Sequence, residues 1–571
     1  MKVSPLVLCG LALATFAAKS AEPLHGSGHA ASSIPRLVER DGRFVLMVDG
    51  APYLMLGGQI NNSSAWPAFL PKVWESAAAL HVNTIEAPIY WEQLEPQQGQ
   101  FDYSVVDMLV RQAREHHVHL VLLWFGTWKN GSQHYTPAWM KLDMVRYPRV
   151  ISGPPSNTPG EPMDTLSPVS ENNLHADEHA FAALMRHLKA FDGAEHTVIM
   201  MQVENEPGTY GTNRDYSPAA QQLFDGPVPE GLVSAMHKSP GTWQQVFGPD
   251  ADESFASWSI SHYIDQVAAA GKAEYPLPMY VNVALRDPDD PHTRPGANYP
   301  SGGGSYNMLD VWKATAHSVD IVAPDIYLNG DAKYRKLLSL YGRPDNALFV
   351  PETSNGPNAA RYVFSVIGAG GIGFSPFGID RSRAFNAPPV GATGIALGAP
   401  TAAPAGTAAP AGGWNGDPTA PPPQNALAQT YELLGPMDRQ IAELNFEGKL
   451  QTAVEEKGAA MQLLDFGHWK ARVSYGYRPF GNFNTPPPGN PETNGRALVA
   501  QLGPNEFLVT GYHFRVDFET AGRHREFLRV EEGEYENGKW NFLRVYNGDQ
   551  TDYGLNFTDE SRVLRVTLHE Y

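Results

Sequence analysis

The sequence predicts an α/β protein, a (β/α)8 TIM barrel followed by a smaller β-sandwich-like domain, and three observations predict it. Eight short apolar, β-rich runs alternate strictly with eight helical patterns between residues 53 and 444, the pattern of a closed parallel barrel inside a ring of helices. Acidic residues directly follow two of the buried runs, at Glu206 and Glu352, where packing alone would not place them. Beyond residue 446 the helical period is gone and only short alternating runs remain, as in an all-β unit.

The elements follow in order. Lys2 precedes an apolar run over 5–18, and small residues Ala17, Ala18, Ser20 and Ala21 come next, which reads as a secretory leader too short to span a bilayer. Cleavage after Ser20 puts Ala18 at the −3 position, whereas cleavage after Ala21 would put Lys19 there, so the leader is set at 1–20. The single cysteine, Cys9, lies inside it, so the mature chain is expected to hold no thiol or disulfide. Leu6, Val7 and Leu8 do not make a lipoprotein processing site. The expectation is a soluble periplasmic or secreted protein with no membrane insertion.

Over 36–58 three extended runs are separated by Asp41-Gly42 and Asp49-Gly50, both hairpin turn signals. The strand candidates of the barrel are 53–56, 82–89, 120–125, 198–203, 279–285, 321–327, 348–350 and 373–377. The helical patterns between them are 67–80, 103–116, 178–191, 254–270, 309–316, 332–341, 358–367 and 426–444. An open doubly wound sheet is the alternative, although such sheets seldom need eight units in sequence. The catalytic unit is bounded at 33–445 and includes a segment rich in Ala, Pro and Gly, 387–424. Because a helical pattern follows that segment, it reads as the loop after strand eight, on the face where such barrels carry their sites. The β-rich unit is bounded at 446–571, with a turn at Asn537-Gly538. Bracing the barrel or binding sugar are its two readings, the first being the simpler.

Charge narrows the partners. Lys and Arg number 42 against 61 Asp and Glu, a net charge of −19, which disfavours nucleic acid and anionic membrane surfaces. A neutral oligosaccharide or polysaccharide fits, and a homodimer is the assembly the reading allows.

The chemistry is carried at strand ends. Strand four runs out through Gln202-Val203-Glu204-Asn205-Glu206-Pro207-Gly208, and strand seven through Phe349-Val350-Pro351-Glu352-Thr353. Glycoside cleavage with retention needs one carboxyl to protonate the leaving oxygen and a second to attack the anomeric carbon, about 5–5.5 Å apart. Strands four and seven face each other across a barrel mouth and can deliver that pair. A buried ion pair for either carboxylate is the competing explanation.

Asn205-Glu206 after strand four and Glu352 after strand seven resemble the large clan of retaining (β/α)8 glycosidases. Gln202-Val203-Glu204-Asn205-Glu206, together with Trp91, Glu95-Pro96, Gly99 and Phe101, is similar to the signatures of glycoside hydrolase family 35, the β-galactosidases, in a bacterial branch with a C-terminal β-domain and xyloglucan side chains as substrate. The resemblance implies Glu206 as acid/base, Glu352 as nucleophile, Asn205 as partner of the sugar 2-hydroxyl and Tyr327 as the tyrosine bonded to the nucleophile. It implies release of terminal β-galactose, with no cofactor and no metal. This chain departs from the family at two places: Pro88 stands where the family has a tyrosine, and Thr127-Trp128-Lys129-Asn130 replaces a Cys-Ala-Glu-Trp segment. Those positions grip sugar hydroxyls in the family, so Trp128 and Asn130 are candidates for a substitute stacking face and hydrogen bonds, or are structural. A β-glucosidase of the same clan and a carbohydrate-binding protein without turnover are the alternatives.

Weaker signals lead elsewhere. Residues 368–373 have dinucleotide-binding glycine spacing but follow a helix and lack the ribose-binding acid. The histidines 116, 117 and 119 lie at a helix-to-strand turn without a second ligand cluster. The acidic run 287–290 lacks the glycine and terminal glutamate of a calcium loop. Glu95 and Glu204 read as supporting residues.

Overall fold

A computed structural model describes residues 33–328, 330–356, 358–380, 426–476, 487–522, 524–536, 538–560 and 562–571. The expected leader with Cys9 and the 387–424 segment lie outside the described residues.

The chain enters through a three-stranded antiparallel sheet, Arg36–Arg40, Arg43–Val48 and Ala51–Tyr53. Its two turns are the Asp-Gly pairs, each with both residues at positive φ, the geometry a tight hairpin requires. Tyr53 therefore belongs to this sheet and not to the barrel.

Eight parallel strands then close on themselves: β1 (Met55–Gln59), β2 (Thr84–Tyr90), β3 (His119–Lys129), β4 (Val198–Asn205), β5 (Met279–Ala284), β6 (Ile321–Ile326), β7 (Val350–Thr353) and β8 (Gly373–Pro376). The runs are apolar throughout because both strand faces are covered, one by the barrel interior and one by helices. In β2 every residue is buried. The eight-stranded barrel thus stands as the sequence reads, with shifted strand ends. β1 starts and ends later than expected, β3 continues to Lys129, and β7 extends far enough to contain Glu352. Each shift brings a polar residue to the mouth. The eighth helical pattern divides into Ala426–Leu434 and Asp438–Phe446 around a short 3-10 turn containing Pro436, whose ring and missing N–H interrupt a continuous helix.

The longest helices, Glu171–Asp192 and Ala251–Glu274, pack on each other outside β3 and β4. The first is started by Ser170, whose side chain accepts the Asn173 N–H, a standard way to satisfy a free first-turn donor. No described helix is long and apolar enough to cross a membrane.

Among the described residues the C-terminal part is two antiparallel sheets, one of six strands and one of four. Trp469, Val473, Val516 and Phe518 from the smaller sheet share a core with Val499, Phe507, Val509 and Val566 from the larger, which makes it a sandwich. The larger sheet's other face, with Leu498, Ala500 and Leu508, joins the barrel core. Polar contacts tie the same seam: the Tyr512 hydroxyl donates to Gln429 O at 2.8 Å, Thr452 Oγ1 donates to Phe364 O at 2.8 Å, and Arg361 donates to Glu455 O.

Candidate active site

The mouth of the barrel is built at the C-terminal ends of β4, β6 and β7. β4 ends irregularly: Glu204 has φ 65° and Glu206 φ 43°, left-handed conformations that cost a residue with a side chain about 1–2 kcal/mol each. The distortion divides three consecutive polar residues between two destinations. Glu204 turns behind the strand, where its Oε2 accepts the Trp128 N–H at 2.6 Å. Asn205 and Glu206 stay at the mouth. The Glu206 N–H donates to Asn282 Oδ1 at 2.8 Å, so β5 fixes the strained peptide. Gly208 follows with φ 144°, and a Cβ there would lie 2.7 Å from the Pro300 Cβ. Only glycine lets the loop after β4 rest on the loop after β5.

Glu352 sits in β7, buried, with both carboxylate oxygens accepting hydrogen bonds. The Tyr327 hydroxyl donates to Oε1 at 2.6 Å, and Gln59 Nε2 donates to Oε2 at 2.9 Å. Tyr327 as a residue is more than a third exposed at the mouth, while its hydroxyl reaches the buried Glu352. Burial, then the charge of Glu352, pushes the Tyr327 hydroxyl far above its usual range, which keeps it a donor.

A third carboxyl completes the cluster. Asp325 lies opposite Glu352 in the β6–β7 ladder, and carboxylate oxygens of Glu206, Asp325 and Glu352 all lie within 4.8 Å of one another. Asp325 Oδ2 accepts from Asn282 Nδ2 at 2.7 Å, so Asn282 links Asp325 to the Glu206 backbone. Three carboxyls in so small a space cannot all be ionised. Burial, then the charges of Glu352 and Glu206, raises Asp325 well above the usual carboxylate range. Burial first, and the charge of Glu352 second, lifts Glu206 to about 7, against the pull of Lys129 and a hydrogen bond with Asp325. Among the described residues this trio is the group of acids that offers three ligand atoms to a cation. Both Glu352 oxygens already accept from protein donors and the Lys129 ammonium acts on the same cluster, which fits proton chemistry better than a metal cage.

Lys129 is the buried cation of the site. Its Nζ donates to Asn205 Oδ1 at 2.8 Å and to Asn130 Oδ1 at 2.6 Å. That turns the Asn205 amide so that its Nδ2, buried and without a protein partner, is left to donate elsewhere. An unpaired buried donor costs about 1–3 kcal/mol, which a ligand oxygen would relieve.

The sequence reading placed Glu206, Glu352, Asn205 and Tyr327 together, and the structure brings Glu206, Glu352 and Tyr327 into one cluster, with Asn205 beside Glu206 and held by Lys129. Asn130 is also at the mouth, half-buried at φ 53°, but its side-chain oxygen is occupied by Lys129. Trp128 requires a correction. Its indole is fully buried, edge-on to Tyr263 with ring centroids 5.0 Å apart, so it offers no stacking face. The pairing of β3 with β4 is irregular between Trp124 and Lys129, and Thr127 and Trp128 both meet Tyr263 behind the strand while the Lys129 ammonium reaches Asn205. Sequence reasoning missed Gln59, Lys129, Asn282 and Asp325. Asp325 and Tyr327 stand two apart on one strand end, and that period-2 spacing was an available signal.

Residues 66–263 match the family model described as Beta-galactosidase, that of glycoside hydrolase family 42, and residues 427–558 match one described as Domain of unknown function (DUF5597). The barrel segment thus has the profile of a β-galactosidase-type glycoside hydrolase. That profile is family 42's, whereas the motifs resemble family 35; the glycoside hydrolase class is what the two share. A Beta-galactosidase of Xanthomonas manihotis is 27% identical over 224 residues, 35% of this chain and 34% of that protein. The chain therefore spans about a third of that relative's length. Among solved structures, a β-galactosidase from Bacillus circulans sp. alkalophilus aligns at TM-score 0.40 and 14% identity, covering 57% of this chain and 50% of that one. The catalytic domain of β-amylase from Paenibacillus polymyxa aligns at TM-score 0.44 and 12% identity, covering 57% and 92%.

Proposed function

We propose that the chain is a retaining, exo-acting glycoside hydrolase that releases terminal β-linked galactose from oligo- or polysaccharides, working in the periplasm or outside the cell. The observation that carries the reading is the pair Glu206 and Glu352, with carboxylate oxygens within 4.8 Å. One oxygen of each carboxylate within that distance fits the about 5–5.5 Å of the retaining mechanism better than the about 6.5–9.5 Å that an intervening water needs in inverting enzymes.

In the first step Glu352 attacks the anomeric carbon while protonated Glu206 gives its proton to the departing oxygen, leaving a glycosyl ester on Glu352. In the second, Glu206 takes a proton from water as that water attacks the same carbon and Glu352 leaves. A pKa of about 7 suits a residue that must be acid and then base. Tyr327 and Gln59 hold the nucleophile from both sides. The free Asn205 Nδ2 is the donor for the 2-hydroxyl of the bound sugar, a contact that strengthens as positive charge develops on the ring. Galactose as the sugar rests on the β-galactosidase profile of 66–263 and on the motif resemblance, and galactosylated xyloglucan is the natural source we propose from the same resemblance.

The test is Glu352→Gly. Hydrolysis of nitrophenyl β-D-galactoside should be lost and partly restored by azide, which fills the vacated space and attacks in place of the carboxylate. Unchanged hydrolysis would remove Glu352 from the role. Preference of the unmodified protein for the glucoside over the galactoside, fucoside and arabinoside would overturn the choice of sugar, and galactose release from xyloglucan oligosaccharides tests the source.

A further inference from the structure

The loop after β1 carries an aromatic surface that none of the chemistry above uses. It leaves the site directly: Gln59 bonds the nucleophile, Asn61 Nδ2 donates to the buried Asp380 carboxylate at 2.5 Å, and the Ala65 N–H donates to the Tyr90 hydroxyl at 3.2 Å. Trp66 comes next, its carbonyl accepting the N–H groups of Phe69 and Leu70 at the start of the helix Leu70–Leu80. Its backbone is held in place, yet the side chain is 40% exposed.

The ring is not an isolated surface aromatic. It stacks on Tyr90 with centroids 5.4 Å apart and planes 17° apart, and Tyr90, itself buried, stacks on Tyr135 at 5.2 Å and 23°. Tyr135 packs on Phe125 at 5.1 Å, and the Lys129 ammonium that holds Asn205 lies 5.2 Å from the Phe125 ring centre. A chain of ring contacts thus links Trp66 to Phe125, beside the Lys129 that holds Asn205. Tyr90 stacks on one face of Trp66, and the residue still keeps 40% of its surface exposed.

We infer that Trp66 is the platform for a second sugar ring of the substrate, a carbohydrate residue attached beyond the one that sits between Glu206 and Glu352. A pyranose presents C–H bonds on one face and hydroxyls at its edge, so a flat ring that cannot turn is the complement it needs. The inference rests on the glycosidase reading and adds to it a binding residue and a preference: oligosaccharides and longer chains are held more tightly than simple galactosides. Phe69, equally exposed on the same loop, is the internal control. The Lys72 ammonium lies 5.3 Å from its ring centre, and it has no stack behind it leading to the cavity.

The experiment is calorimetric titration of Glu352→Gln protein, which does not consume its ligand, with methyl β-D-galactoside and with β-galactosyl oligosaccharides of two to four rings. Trp66→Ala in that background should weaken oligosaccharide binding about tenfold and leave methyl galactoside unchanged. Trp66→Phe should restore most of the loss, and Phe69→Ala should change neither ligand. Equal weakening of both ligands, or of neither, in protein that binds them overturns the platform and leaves the glycosidase reading standing. Failure of the parent protein to bind any of the saccharides overturns both.

Discussion

Two sets of buried acids lie on opposite sides of β4, and they are built differently. Behind the strand, Asp177 from the helix Glu171–Asp192 and Glu204 meet in a closed pocket. Asp177 accepts from Trp124 Nε1 at 2.8 Å, Thr127 Oγ1 at 2.7 Å and the Tyr263 hydroxyl at 3.2 Å, while Glu204 accepts the Trp128 N–H. In front, Glu206, Asp325 and Glu352 crowd together with Asn205 Nδ2 and Gln59 Oε1 left without protein partners. Burial pushes Glu204 well above the carboxylate range as surely as it lifts Glu206. A raised pKa therefore does not separate the structural acid from the reactive one. What separates them is the use of donors next to the acids: three side chains are spent on Asp177 behind the strand, whereas in front the Asn205 amide N–H is left beside Glu206 for a ligand.

The largest effect should come from the front. Glu352→Gly is expected to lower kcat/KM by about four orders of magnitude or more, with the melting temperature unchanged or raised, since a like charge leaves a crowded site. A large loss of melting temperature would break the comparison. Asp177→Ala should behave in the opposite sense. It strands the indole, hydroxyl and phenol donors in a dry pocket and should cost about 3–5 kcal/mol of stability, read as a drop in the denaturation midpoint, while the protein that remains folded keeps its turnover.

The pH profile sharpens the distinction further. Glu206 must be protonated for the first step, so kcat/KM should fall about tenfold per unit once the pH passes about 7. A hydrogen bond with Asp325 pulls Glu206 down, so Asp325→Ala should move that falling limb to higher pH and lower the rate on the plateau. A limb that stays in place would mean that Asp325 supports the strand without acting on the acid.

The barrel was legible because parallel strands covered on both faces have to be apolar from end to end, and nothing else in a chain this polar imitates eight such runs. Glu206 and Glu352 stood out because acids directly after those runs contradict the pattern. Gln59, Lys129 and Asp325 did not stand out, for a physical reason. Each matters through a residue on another strand: Gln59 through Glu352, Lys129 through Asn205, Asp325 through Glu206. Register across a closed sheet decides those meetings, and strand ends misplaced by a few residues hide it. Tyr53 illustrates this. Its apolar ring reads as the start of β1, but its pairing with Leu46 puts it in the entry sheet and moves Gln59 to the mouth.

Trp128 gives the smallest effect and separates the two sides of β4 at a single residue. Its peptide N–H serves the rear acid pair, and its neighbour Lys129 serves the front. The indole is fully buried and its ring N–H has no partner, so Trp128→Phe removes an orphaned donor and opens a small void. Those two changes oppose each other, and stability should stay within about 1 kcal/mol of the unmodified protein. Turnover and oligosaccharide binding should change by less than about twofold, because the backbone that reaches Glu204 is untouched. Loss of sugar affinity in Trp128→Phe, measured beside Trp66→Ala, would return Trp128 to the substrate and put the rear pocket in contact with the mouth.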